Sequence, residues 1–233
     1  MSIHLMNHHT APSRIELPKG LAIGYRSNAL NGRKETRLAE ANNEISLTPG
    51  RHLLLARNGR GKTTLLKTIA RIIPALEGSV VSVGTIQFVD EDLRFDSEMK
   101  PKQIFSALFK KPQRRYALEM AGKIELDVEK PYGKLSKGNR QKVGLIVAET
   151  RTQCPGTHIL LLDEPFSGLD FAAREAVDKV WSENQEGIVR LVCVHPDEPT
   201  LKADTALIIR DGALEQLQVK GSLDWMETKE ALS

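Results

Sequence analysis

The sequence lacks any apolar run approaching the ~18 residues that a membrane-spanning helix needs. Its opening run, Met1-Ser2-Ile3-His4-Leu5, lacks the charged and apolar blocks of a secretory signal. Both absences predict a chain that is neither integral to a bilayer nor secreted by that route. Cysteine is scarce: Cys154 and Cys193 stand apart without metal-ligand or redox spacing, and they read as reduced thiols in a cytosolic chain. There is no internal repeat, heptad array or low-complexity tract. Neither sign of charge dominates, since 33 basic and 30 acidic residues leave a net charge of +3.

What is present is a chain of 233 residues, 40% hydrophobic and 27% charged, with 17 Gly and 11 Pro. These are the proportions of a globular protein, enough for one large domain or a core with a small insertion. The basic residues are concentrated in the first third, with twelve Lys/Arg against four Asp/Glu up to residue 75. That asymmetry suits nucleic acid, an anionic membrane surface or a phosphate ligand, or else scattered solvated charge.

Residues 1–12 are polar and His-rich and read as a flexible terminus; His8-His9 without further ligands is a weak metal signal. Residues 13–233 read as one domain. Ile15 to Tyr25 predicts one or two strands broken at Pro18-Lys19-Gly20, and Ser27 to Arg37 predicts a turn-rich connection. Strands follow at Glu44–Leu47 and His52–Ala56, then a helix from Lys62 to Ile73 stopped by Pro74. Short strands at Ser79–Val83 and Thr85–Val89 precede a charged, Pro-interrupted stretch with helical patterns. It reads as an inserted helical subdomain, about residues 93–150. Helix, strand and helix recur at Gly138–Thr150, His158–Leu162 and Ala172–Asn184. Strands at Val189–Val194, Ala206–Ile209 and Ala213–Leu217 complete the pattern, the last two joined by an Asp211-Gly212 turn. Ser222 reads as the cap of a final short helix. The alternation predicts an α/β fold with a mainly parallel sheet.

The strongest chemical signal is Ala56-Arg57-Asn58-Gly59-Arg60-Gly61-Lys62-Thr63-Thr64 between a strand and a helix. Such a loop aims successive backbone N–H groups, and the positive end of the helix, at an anion. Gly59 and Gly61 let the backbone wrap a phosphate, Lys62 supplies a point charge and Thr63 offers a hydroxyl to Mg²⁺. Asn58, Gly59, Arg60, Gly61, Lys62, Thr63 and Thr64 are therefore the expected nucleotide contacts. A second element stands about a hundred residues on. His158-Ile159-Leu160-Leu161-Leu162-Asp163-Glu164-Pro165 reads as a strand buried on both faces with two carboxylates at its C-terminal end. Asp163 is expected to hold Mg²⁺, and Glu164 to polarise an attacking water as general base.

With these two motifs in place, Leu135-Ser136-Lys137-Gly138-Asn139 resembles the signature of ABC-type ATPases, normally Leu-Ser-Gly-Gly-Gln. Ser167-Gly168-Leu169-Asp170 resembles the D-loop, His195 after its strand resembles the switch histidine, and Tyr25 matches the aromatic that stacks on adenine. The resemblance covers essentially everything after the first dozen residues. It implies a P-loop core with an N-terminal antiparallel β region, ATP and Mg²⁺ as ligands, and a head-to-tail pair of subunits. In that pair Ser136, Gly138 and Asp170 of one chain complete the partner's site. Where the family carries its loop glutamine this sequence has Glu91, a further candidate near Mg²⁺ and a reason to expect slow or tightly coupled turnover. Gln87, four residues earlier, lies in the strand and is given no role.

The resemblance further implies an ATP-hydrolysing subunit of a transporter, held at the inner face of the cell membrane by a separate spanning permease. The compact stretch before Ser136 and the Lys-Gly of the signature lean toward export. The alternative is a soluble ATPase of the iron–sulfur assembly type. A P-loop kinase or small GTPase leaves the signature and His195 unexplained, and nucleic acid is not required as a partner.

Overall fold

The computed structural model describes residues 11–29, 32–90, 92–194 and 201–223. Its centre is an eight-stranded sheet in the order β2-β3-β11-β10-β5-β9-β8-β7. The strands are β2 (Ala22–Ala29), β3 (Gly32–Ala41), β5 (Gly50–Ala56), β7 (Thr85–Val89), β8 (His158–Asp163), β9 (Ile188–Cys193), β10 (Leu201–Arg210) and β11 (Ala213–Leu223). The run β10-β5-β9-β8-β7 is parallel throughout. A second, antiparallel sheet has the order β4-β1-β6, with β1 at Arg14–Leu17, β4 at Ile45–Leu47 and β6 at Val81–Val83.

The parallel strands are covered on both faces, which is why they read as continuous apolar runs; every residue of β5, β8 and β9 is buried. Alternate side chains divide between two cores. Leu54, Ala56, Ile159, Leu161 and Leu191 face α1 (Lys62–Ile69) and the small sheet, joining Leu65, Leu66, Ile15 and Leu47. Leu53, Leu55, Leu160, Leu162 and Val192 face the other way, toward Phe105, Met120, Ile146 and Trp181. Those residues come from α2 (Pro101–Leu108), α3 (Lys111–Lys123), α4 (Lys137–Arg151) and α5 (Phe171–Glu183). Each buried Leu or Ile contributes about 1.5–3 kcal/mol, so this two-sided burial fixes the sheet. The chemistry-bearing turns emerge at the C-terminal ends of β5 and β8.

Three sequence expectations change. Ser27 to Arg37 is no loose connection: β2 and β3 pair antiparallel from Ala22↔Glu40 through Ala29↔Gly32. The helix after Lys62 ends at Ile69, four residues early, and Arg71 turns the chain with φ 60°. Ser222 lies in β11 and not at a helix start; residues beyond Leu223 are outside the described residues. Helices α2 and α3 lie in the predicted helical stretch, each with a Pro in its first turn, where the missing N–H is not needed.

Candidate functional site

The loop between β5 and α1 turns twice through left-handed backbone, at Gly59 (φ 75°) and Gly61 (φ 107°). Gly61 has a second reason to lack a side chain, because a Cβ there would come within 3.2 Å of Leu38 and 3.4 Å of Ile23. The β2–β3 hairpin thus backs the loop, while residues 57–60 stay exposed. Within the loop, the Lys62 ammonium is buried and donates to the Ala56 carbonyl at 3.1 Å and to Asn58 Oδ1 at 3.3 Å. A cation folded into its own loop, at a helix N-terminus with no acidic residue in the first turn, makes a centre of positive potential for a polyphosphate.

Thr63 faces the end of β8, and its Oγ1 donates to Asp163 Oδ2 at 2.6 Å. These are two hard oxygen donors side by side, next to where the phosphates would lie. Among the described residues no group of three His, Cys, Asp or Glu side chains gathers as a metal site. Mg²⁺ is suited by this sparse set, since it commonly takes one carboxylate, substrate phosphates and water. Glu164 follows with φ 48°, a strained conformation for a non-glycine residue. Two hydrogen bonds hold it there: its N–H donates to the Cys193 carbonyl at 3.1 Å, and its carbonyl accepts from Gln141 Nε2 at 3.0 Å.

Ser136 and Gly138 belong to a second group. The Ser136 hydroxyl caps α4 by accepting from the Asn139 N–H at 3.2 Å. Gly138 touches the turn after β8 so closely that a Cβ would stand 2.0 Å from the Gly168 carbonyl oxygen. In that turn Asp170 caps α5 by accepting from the Ala173 N–H at 2.8 Å, and it faces Lys142 Nζ at 3.5 Å. The Ala173 N–H, then Lys142, hold the Asp170 carboxyl below the usual carboxylate range.

The structure therefore gathers Asn58, Gly59, Gly61, Lys62, Thr63 and Asp163 in one place, and Ser136, Gly138 and Asp170 in another. Glu164 lies between them, tied to α4 through Gln141. Arg60 is exposed on the loop, and Thr64 lies in the first turn of α1, its carbonyl accepting from the Thr68 hydroxyl at 2.8 Å. Tyr25 is 54% exposed on β2, two residues beyond Ile23. His195 and Glu91 fall outside the described residues.

Sequence reasoning marks Gly168 within the D-loop resemblance but gives Gln141 and Cys193 no part in this arrangement. Cys193 lies opposite Asp163 across the β8–β9 pair, and burial, then the Asp163 charge, push its thiol pKa up, so it stays protonated. Only the sheet register reveals that neighbour. For Gln141 a signal did exist, its place one turn into the helix that opens at Ser136.

A family model described as ABC transporter matches residues 41–167. The aliphatic sulfonates import ATP-binding protein SsuB 1 of Shouchella clausii is 28% identical over 208 residues, covering 82% of each chain. SsuB 2 of Frankia alni is 33% identical over 178 residues, covering 73% of this chain and 71% of the relative. Among solved structures, a dimeric ATP-binding cassette in a post-hydrolysis state with ADP and Pi aligns with a TM-score of 0.67. It is 18% identical and covers 89% of this chain and 99% of that one. Together with the loop, the strand-end carboxylates and the sheet that carries them, these matches show that the chain belongs to the ABC transporter family, as one of its ATP-hydrolysing cassettes.

Proposed function

We propose that the chain hydrolyses ATP as the motor subunit of a transporter whose spanning permease is a separate polypeptide. The observation that carries this reading is the Thr63 hydroxyl held 2.6 Å from the Asp163 carboxylate beside the Lys62 loop. In this reading Thr63 and Asp163 would hold Mg²⁺, which when bound would supply positive charge beside the phosphate oxygens. Lys62 and the N–H groups of residues 58–64 bind and orient the triphosphate. Glu164, kept in its strained turn by Cys193 and Gln141, orients and deprotonates the attacking water. Tyr25 stacks on the base, and Ser136, Gly138 and Asp170 serve a second copy's nucleotide. Glu91 and His195 are assigned to the metal and the γ-phosphate on the family resemblance alone.

The two SsuB relatives are named for import, which supports import here in place of the export expected from Lys137-Gly138 and the compact helical stretch. No helix among the described residues is long and apolar enough to cross a membrane, and the reading assigns the spanning path to the permease. No observation favours the assembly-scaffold alternative.

The test is a hydrolysis assay paired with a binding assay. Glu164→Gln is expected to retain ATP binding and to lose at least about a hundredfold in turnover, whereas Lys62→Ala weakens nucleotide binding itself. Copurification from detergent-solubilised membranes is expected to bring down a protein with several hydrophobic spans. Capture of only soluble partners would overturn the transporter assignment.

A further inference from the structure

Surface cations on β2, β3 and α2 are met by carboxylates. Arg26 pairs with Glu35, Arg37 with Glu40 and Glu77, and Lys100 and Lys102 with Glu129. The start of α3 is built differently. Lys110, Lys111, Arg114 and Arg115 put four cations into six residues, with no acid in the helix's first turn. Lys110, Lys111 and Arg114 make no ion pair among the described residues; Arg115 pairs with Glu119 at 2.7 Å, both well exposed. Because a helix N-terminus is already the positive end of its dipole, cations there oppose helix formation. Such a cluster is a local cost that an anionic partner would offset.

The cations lie on a single face. Lys111, Arg114, Arg115 and Leu118 follow the i, i+3, i+4, i+7 spacing of a single helix stripe, while Ala117 and Met120 turn away from it and are buried in the core. Leu118 is 40% exposed, and Leu108, just before the cluster, is 43% exposed. A cationic stripe that ends in the exposed Leu118 matches an anionic bilayer surface: lipid phosphates take the ammonium and guanidinium groups, and Leu118 enters the acyl boundary. Single-stranded nucleic acid fits less well, because it calls for exposed aromatic faces; Phe109 and Tyr116, the aromatics of this stretch, pack against the core.

We infer that the N-terminal half of α3, from Lys110 to Leu118, docks directly on anionic lipid headgroups. This contact needs no permease, so its failure leaves the motor-subunit reading standing.

The experiment is vesicle sedimentation of the full chain without any permease, using phosphatidylcholine vesicles with or without about 30% phosphatidylglycerol. Binding is expected only with the anionic lipid, falling as salt is raised. Lys111→Gln/Arg114→Gln is expected to weaken partitioning about thirtyfold and to leave ATP hydrolysis intact, which confirms folding. Lys110→Gln/Lys111→Gln, at two exposed positions, gives the same reading should the first pair fold poorly. Leu118→Gln is expected to remove the binding that survives high salt. Equal binding to neutral and anionic vesicles, no binding to either, or unchanged binding in both charge variants would overturn the inference. So would oligonucleotide competing with the vesicles for these residues.

Discussion

His52 is the residue whose burial makes the clearest pH prediction. It lies in β5, and its ring meets the Thr205 hydroxyl at 2.8 Å through Nδ1 and the Thr48 carbonyl at 2.8 Å through Nε2. The carbonyl accepts from Nε2–H, which leaves Nδ1 to accept from the Thr205 hydroxyl, so both partners suit a neutral ring. Burial lowers the His52 pKa below its ordinary 6.5, opposed by the Thr48 carbonyl and the Asp204 charge. The unfolded chain thus takes up a proton near 6.5 while the folded chain does not. Stability is full above that pH and falls as pH drops toward the folded pKa. Urea unfolding of the wild type and of His52→Gln between neutral and mildly acidic pH is expected to show this slope in the first and a flatter one in the second.

A second residue-scale case is the pair of Arg190 and Glu149, which are 1% and 0% exposed at the side chain and joined by two hydrogen bonds of 3.0 and 2.9 Å. Glu149→Ala would leave a buried guanidinium against Trp181 without its counter-ion, an expected loss of about 3–5 kcal/mol in urea unfolding. Neither partner stood out in the sequence. Arg190 interrupts an otherwise apolar strand, and only the β9–α4 contact explains why it is tolerated. The phosphate loop was legible because its chemistry is local: glycine, lysine and threonine must be adjacent along the chain. The support of Glu164 was not legible, since it comes from Gln141 and Cys193, which meet it only through folding.

At the scale of elements, the β2–β3 hairpin shows why part of the fold escaped the sequence. Its residues Ser27 to Arg37 are mostly polar, with Ala29 and Leu30 adjacent and without the alternation that marks a half-buried strand. Its cohesion comes from the antiparallel ladder, the Arg26–Glu35 bridge at 3.1 Å and the contacts of Arg37 with Glu40 and Glu77. The same contacts account for two of the basic residues in the first third, which serve the hairpin and not a phosphate. The strands of the large parallel sheet were legible because burial on both faces writes a continuous apolar run into each.

The junction of α4 with the turn after β8 supports a prediction of its own. Gly138 and Gly168 bring two backbones together with no room for a Cβ, since the nearest atom is a carbonyl oxygen and not a flexible side chain. Gly138→Ala must therefore move the start of α4 away from the segment that carries Asp170. Overpacking of this kind costs about 1–3 kcal/mol. The expected outcome is a fall in ATP turnover with the affinity of the Lys62 loop for nucleotide preserved, measured by a single-site binding titration beside the hydrolysis assay.

At the scale of the whole molecule, the proposed function has one chain hold two separate halves of a site. Thr63 is joined to Asp163, with Lys62 beside them folded into its own loop, and the loop at 57–60 is left open; Ser136 stands apart, its oxygen accepting from its own helix and its O–H left to donate outward. Phe171, next to Asp170, is 68% exposed, a large apolar side chain with nothing over it among the described residues. A second copy placed head to tail would cover that surface and bring its own Ser136 to the open side of the loop. Nucleotide would then sit between two chains, and each copy's bound phosphate would act as part of the interface. Glu164→Gln, which keeps both halves but cannot turn over, is expected to run as a dimer on size exclusion with ATP and Mg²⁺ and as a monomer without them. Adding Ser136→Arg to that variant is expected to leave nucleotide bound and the dimer absent, because the bulky cation blocks the approach without touching the loop. A dimer that forms equally well without nucleotide, or that survives Ser136→Arg, would mean that the two halves are not completed by a second copy.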